Sequence, residues 1–144
     1  MSRQRARETA FKMVFQMDVG KNPLEIAERT LEEALEEGFI EEKDREYIIE
    51  LATGVAAKKS EFDTFIAAHA KGWTLDRINA IEKNILRLSL YEIGYMDEIP
   101  YEVAVNEGIE LAKKYGEDDA YSFVNGILDN AKPSKSQTDG EKGK

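Results

Sequence analysis

The sequence predicts an all-α protein. Apolar residues recur at the three- and four-residue spacing of helices, and the two-residue alternation of strands is missing. Prolines and glycines divide the chain into segments of helical length. With 144 residues, 42% of them hydrophobic, the chain is long enough to bury a core without disulfides or metal. We expect six or seven helices with short connections in a single domain, residues 1–132.

The first predicted helix is amphipathic. Its apolar face holds Ala6, Ala10, Met13, Val14 and Met17. Its opposite face holds Arg5, Thr9, Lys12 and Gln16, with Phe15 on the border between the two. We therefore expect the polar face to be exposed and the ring of Phe15 to be incompletely buried.

A second helix is predicted between Pro23 and Gly38. Proline is common at the first residue of a helix, and glycine is common at the position just after its last residue. Its outer face carries six glutamates: Glu25, Glu28, Glu32, Glu33, Glu36 and Glu37. A surface of that charge repels RNA.

A third helical stretch is predicted from about Lys43 to Val55. The spacing of Ser60 and Asp63 is typical of a capping box that restarts a helix. The pattern fits either a pair of helices or one long bent helix.

The next segment follows a break at residues 72–74 and runs from Leu75 to Tyr95. Apolar residues cover almost its whole circumference from residue 85 to residue 93, which predicts the central helix of the domain. Its first half leaves Asn79, Glu82 and Lys83 facing outward, as a polar patch.

Two further helices complete the prediction. One begins after Pro100 and ends at Gly116, and the other is capped by Asp118 or Asp119. Gly126 falls inside the last helix, where glycine costs about 1 kcal/mol relative to alanine, so we expect a neighbouring helix to pack closely there. Residues 133–144 contain no large apolar side chain and are predicted to be a disordered tail.

Charge is sorted along this chain. Its net charge is −9, yet the first twelve residues contain four basic residues and only one acidic residue, Glu8. The basic residues are Arg3, Arg5, Arg7 and Lys12. An acidic protein can bind nucleic acid only where cations are gathered locally, and here they are gathered at the amino end. The alternative is that these side chains simply solvate the end of a helix.

The sequence lacks the residues that several kinds of catalytic and metal site require. The chain contains no cysteine and only one histidine, which argues against thiol catalysis and against zinc sites. No glycine-rich loop precedes a lysine and a hydroxyl residue, as a phosphate-binding loop would require. We therefore predict a non-enzymatic cytoplasmic protein with no cofactor, no bound metal and no membrane association.

An ordered set of short motifs resembles the NusB family of transcription antitermination factors. The motifs, from one end of the chain to the other, are Arg5-Ala6-Arg7-Glu8, Trp73 with Arg77, Asn84 with Leu86-Arg87-Leu88, Tyr91-Glu92, Ile99-Pro100, Asn106-Glu107, Tyr115-Gly116 and residues 123–128 (FVNGIL). The resemblance implies two small helical bundles without catalytic activity. It implies binding of the boxA segment of ribosomal RNA leader transcripts, jointly with the ribosomal protein NusE, in the elongation complex of RNA polymerase with other Nus factors.

The resemblance also implies sites. The RNA contacts map to Arg3, Arg5, Arg7 and Phe15 on the first helix, with Lys12 and Gln16 on the same polar face, and to Asp119, Ser122 and Phe123 at the last helix. The protein partner maps to Glu82, with Asn79 and Lys83 beside it. Relatives occur as monomers and as dimers, so the resemblance is compatible with a homodimer as well as with a monomer.

Two alternatives remain at this stage. The fold could serve as a protein-docking module whose arginines make no RNA contact. NusB-like domains also precede the catalytic part of some ribosomal RNA cytosine methyltransferases, but 144 residues leave no room for a cofactor-binding α/β domain.

Overall fold

The computed structural model describes residues 3–20, 23–72 and 74–133. Within these ranges the chain forms seven α-helices, three single-turn 3₁₀ helices and no strand, so the all-α prediction is confirmed. The α-helices are α1 (Gln4–Val19), α2 (Pro23–Glu36), α3 (Arg45–Ala57), α4 (Lys59–His69), α5 (Ala80–Tyr95), α6 (Tyr101–Tyr115) and α7 (Ala120–Leu128). The predicted tail lies outside the described residues apart from Pro133, and so does Trp73.

The helices pack as two groups that share a central element. In the first group α1 packs against α2 and α3, and in the second α5 packs against α4, α6 and α7. Helix α5 also contacts α1 and α3, which joins the two groups. Every residue of α5 from Asn84 to Glu92 is buried, as its apolar circumference predicted. No helix in the described ranges combines the length and the apolar character needed to cross a lipid bilayer.

Polar side chains buried on α5 connect it to α1 and α4. Arg87 donates to both carboxylate oxygens of Asp63, at 2.7 and 2.9 Å, and to the Asn84 side chain at 2.9 Å. The amide of Asn84 donates to the Asp18 carboxylate at 3.1 Å, and Asp18 lies 3.3 Å from Arg87. This network fixes the end of α1 against the centre of the molecule.

Asp18 makes the stability of the protein depend on pH. Burial alone would raise the pKa of Asp18, but hydrogen bonds from Asn84 and Lys59 and the charge of Arg87 lower it below its ordinary value. A carboxyl with a lowered folded-state pKa stabilises the fold above its unfolded pKa and loses that contribution as pH falls.

We therefore expect the free energy of unfolding to decrease as pH falls from about 5 to about 3. Asp18→Asn should remove part of this dependence and should cost about 1 kcal/mol at pH 7, since Asp18 keeps some solvent access. Urea unfolding followed by circular dichroism at several pH values measures both effects. Equal pH slopes for the two proteins would contradict the assignment.

The region that fitted either two helices or one bent helix is a pair. Helices α3 and α4 meet at Lys58, whose φ of −115° and ψ of 20° leave the helical region. The predicted capping box is wrong, because α4 begins before Ser60 and has no side-chain cap. Asp63 binds Arg87 instead, at 2.7 Å.

The central helix starts later than predicted. Leu75–Arg77 forms a 3₁₀ turn, and α5 begins only at Ala80. Asn79 is the N-cap, and its side chain accepts a hydrogen bond from the Glu82 backbone at 2.9 Å. Because Asn79 caps α5, the helix does not extend back to Leu75, although the apolar spacing in the sequence does.

Close helix packing occurs at Gly108 and not at Gly126. A Cβ atom on Gly108 would lie 2.6 Å from the hydroxyl of Ser89, so α5 and α6 approach closely there. Gly126 is exposed, and a Cβ atom built on it would meet nothing within 4 Å. The expected packing at Gly126 is therefore wrong.

Candidate nucleic-acid interface

Arg7 is part of the core. It is 4% exposed, and its Nε donates to both carboxylate oxygens of Glu92, at 3.0 and 2.9 Å. The hydroxyl of Tyr47 donates to the same carboxylate, and Glu107 lies 3.9 Å from the guanidinium. Burial alone would lower the pKa of Arg7, but Glu92, Tyr47 and Glu107 raise it above its ordinary value. The guanidinium of Arg7 is thus buried and already paired, so this structure does not present it to a ligand, and its predicted RNA contact stays a prediction.

The other cations of α1 remain at the surface. The guanidinium of Arg3 lies 4.3 Å from the centroid of the Tyr47 ring and 3.9 Å from Glu98. Arg5 and Lys12 both approach the ring of Phe39, at 5.1 and 5.7 Å. Within the described residues no carboxylate lies at ion-pairing distance from Arg5 or Lys12. This pair is therefore the most available positive charge on α1.

The remaining predicted residues of α1 are half-buried. Phe15 lies on the border of the apolar face, as predicted, with its ring centroid 6.2 Å from that of Phe11. Gln16 accepts a hydrogen bond from the Thr30 hydroxyl of α2 at 2.8 Å. Thr9, expected on the exposed face, is only 2% exposed, and its hydroxyl bonds the Arg5 carbonyl.

A buried carboxylate ties the end of α6 to α1. Glu8 accepts a hydrogen bond from Lys114 at 2.7 Å and another from the hydroxyl of Tyr115. Burial alone would raise the pKa of Glu8, but these two donors lower it below its ordinary value. The rings of Phe11 and Tyr115 also pack at 5.2 Å. These contacts place the α6–α7 turn beside α1.

The start of α7 presents two exposed predicted residues and one half-buried residue. Asp119 occupies the N-cap position, but its side chain does not cap the helix as the sequence predicted. Asp119 and Ser122 are both exposed. Phe123 is half-buried and packs against the core.

The structure brings the predicted protein site and part of the predicted RNA site into one cleft. The cleft has a volume of about 640 Å³ and is lined by Asn79, Glu82, Asp119 and Phe123 among others. Lys83 is half-buried and does not line it. Burial and the nearby charge of Glu117 raise the pKa of Glu82. Glu117, Asp118 and Asp119 line the cleft together with Glu82, so the cleft is acidic, unlike the flank of α1.

Known proteins share this arrangement. The chain matches the family model described as the NusB family across residues 4–133. It is 40% identical over 138 residues to the transcription antitermination protein NusB of Bacillus subtilis strain 168, which covers 96% of this chain and 100% of the relative. The chain belongs to the NusB family.

Solved structures of the NusB family have the same fold. The NusB of Thermotoga maritima superposes with a TM-score of 0.78 at 36% identity, over 90% of this chain and 89% of that one. A structure of the antitermination factors NusB and NusE in complex with double-stranded RNA gives a TM-score of 0.76 at 29% identity, over 89% of this chain and 93% of that one. The predicted arrangement of a NusB fold is thus confirmed.

The motifs of the NusB family have two different roles in this chain. Arg7, Asn84, Arg87 and Glu92 are buried and hold helices together through hydrogen bonds. Arg5 is exposed. A family motif on a helix therefore does not by itself identify a binding residue.

Sequence reasoning missed the connection between α2 and α3. Phe39 and Lys43 lie there and line a groove with Arg3 and Arg5 at the start of α1. The local signal in the sequence was Gly38, which has a φ of 77° in the turn after α2. Which helix the connection reaches depends on tertiary packing, and the sequence pattern carries no information on that contact.

Proposed function

We propose that this chain is a non-enzymatic RNA-binding transcription antitermination factor. It binds the boxA RNA of ribosomal leader transcripts together with the ribosomal protein NusE, and it promotes processive transcription of ribosomal RNA. It works in the cytoplasm with RNA polymerase and the other Nus factors. One observation carries the proposal: Arg5 and Lys12 lie together on α1, and neither has a carboxylate partner within the described residues. They belong to a chain of the NusB family whose net charge is −9.

The RNA contact is electrostatically modest. With Arg7 buried, Arg3, Arg5 and Lys12 are the cations that α1 offers to phosphates. Three contacts to a single strand correspond to a slope of log affinity against log salt of about −2. Phe15 adds an aromatic ring on the same helix, while Gln16 is engaged with Thr30. Phe123 lines the acidic cleft at the start of α7, and Ser122 is exposed beside it in the chain, so these two would be separate RNA contacts.

The acidic cleft supports the protein partner. Glu82, Glu117, Asp118 and Asp119 line it, with Arg77 as the cation among its lining residues. Such a cleft repels phosphates but attracts a basic protein segment. We assign it to NusE, with Asn79 and Glu82 inside the contact and Lys83 beside it. Asp119 also lines the cleft, and its carboxylate can accept hydrogen bonds from base amino groups.

A titration with both ligands tests this function. A fluorescently labelled boxA RNA is titrated with the chain alone and with the chain plus NusE, at several salt concentrations. We expect a salt slope of about −2 and a tighter RNA complex when NusE is present. A docking module without RNA contacts would bind NusE equally well with and without boxA RNA. Absence of RNA binding under both conditions would refute the proposal.

A further inference from the structure

A groove of about 510 Å³ lies between the start of α1 and the connection from α2 to α3. Its walls carry the cations Arg3, Arg5 and Lys43 and the aromatic rings of Phe39 and Tyr47. Its volume falls in the range of small-ligand sites, roughly 300–1,000 Å³. A groove that combines cations with rings has the composition of a nucleotide site.

Phe39 is the centre of this groove. The ring is half-buried and packs against the hydrophobic core, which holds it in place. The guanidinium of Arg5 and the ammonium group of Lys12 lie over the same ring, 5.1 and 5.7 Å from its centroid, so a base that stacks on the ring takes their place and leaves them free to pair with phosphates. A base on the ring would therefore have two cations near its phosphates.

The carboxylates at the rim are engaged within the connection. Asp44 accepts a hydrogen bond from the Glu41 backbone at 2.9 Å, as half of a capping box. Glu41 supplies the other half and lies 3.7 Å from the ammonium group of Lys43. The rim carboxylates therefore have partners within the connection and do not pair with Arg5.

We propose that this groove binds one unpaired nucleotide of the RNA, with the base stacked on Phe39 and the phosphates beside Arg5 and Lys12. The proposal rests on the proposed RNA-binding function and adds a site for the strand beyond α1. In a duplex the base faces are stacked on their neighbours, so a duplex cannot offer one to the ring. The groove thus favours single-stranded RNA.

Fluorescence of 2-aminopurine tests the stacking directly. A series of boxA RNAs, each with 2-aminopurine at one position, is bound to the wild-type chain and to Phe39→Leu and Phe39→Tyr. We expect quenching at one position in the wild type, its loss in Phe39→Leu and its retention in Phe39→Tyr. The affinity should fall roughly five- to tenfold in Phe39→Leu and stay within about twofold in Phe39→Tyr.

Two further variants complete the test. Phe65→Leu replaces another half-buried ring that packs on the core, on α4, and should leave the affinity and the quenching unchanged. Lys43→Glu changes an exposed side chain on the groove rim, so it keeps the fold, and should weaken binding roughly threefold.

The possible results separate this inference from the function. RNA binding with no quenched position, or with an affinity unaffected by both Phe39→Leu and Lys43→Glu, would overturn the nucleotide site and leave the function intact. No RNA binding by the wild type would overturn both. If Phe39→Leu does not fold, the wild-type scan and Lys43→Glu still decide the question.

Discussion

Replacing Arg7 by methionine is expected to lower the free energy of unfolding by about 3–5 kcal/mol. Glu92 is 0% exposed, and the guanidinium of Arg7 supplies two of the hydrogen bonds to its carboxylate. Without Arg7 the hydroxyl of Tyr47 is the donor that remains. Burial raises the pKa of Glu92 and the charge of Arg7 opposes that rise, so the carboxyl should take up a proton at higher pH in the variant. Urea unfolding at pH 7 measures the loss.

Two control variants show whether the loss comes from the unpaired charge. Arg5→Met removes an exposed arginine from the same helix and should change stability by less than about 0.5 kcal/mol. Arg7→Met combined with Glu92→Leu removes both buried charges and should recover much of the stability. Below its unfolding temperature Arg7→Met should keep the RNA affinity of the wild type. A selective loss of RNA binding in the folded variant would restore Arg7 to the interface.

Reversing the charge of Arg5 and Lys12 together is expected to weaken boxA RNA binding roughly 100-fold. We expect each cation to make one charge-assisted hydrogen bond to a phosphate, and the loss of such a contact lowers the affinity roughly tenfold. The salt slope should also fall in magnitude, from about −2 to about −0.7, as only one of three contacts remains. Fluorescence anisotropy of the labelled RNA at several salt concentrations measures both changes.

A matched double variant controls for net charge. Arg29→Glu with Lys132→Glu changes the charge by the same amount at exposed positions outside the predicted RNA site. Long-range repulsion is screened within about 8 Å at physiological salt, so the control should bind within about twofold of the wild type. Equal losses in both variants would indicate a general charge effect and would count against a local RNA site on α1.

Much of the fold was readable from periodicity. The exposed glutamate face of α2, the break at Gly38 and the fully buried half of α5 all follow from local spacing, and each is present in the structure. One error lies where a side chain has two partners to choose from. Asp63 could cap a helix or bind Arg87, and in the structure it binds Arg87. Local pattern cannot rank these two contacts, because the bond to Arg87 joins α4 to α5 across the fold.

The site was readable only in part, for the same reason. Arg5 and Arg7 look alike in the sequence, two positions apart on one helix. A helix turns by about 200° over two residues, so the two arginines point to different sides. Only packing shows that Arg7 meets Glu92 while Arg5 meets the ring of Phe39.

The amino-acid sequence by itself determined the helical class, the excess of positive charge at the amino end of an acidic chain, and the motifs that indicate the family. Those properties depend on residue type and local spacing alone. The tertiary structure decided which cations are exposed to a ligand and where the acidic cleft lies. It also decided that Phe39 lies in a groove beside the start of α1. These depend on contacts between residues far apart in the chain, such as Arg7 with Glu92, because burial and pairing decide whether a charged group can meet a ligand.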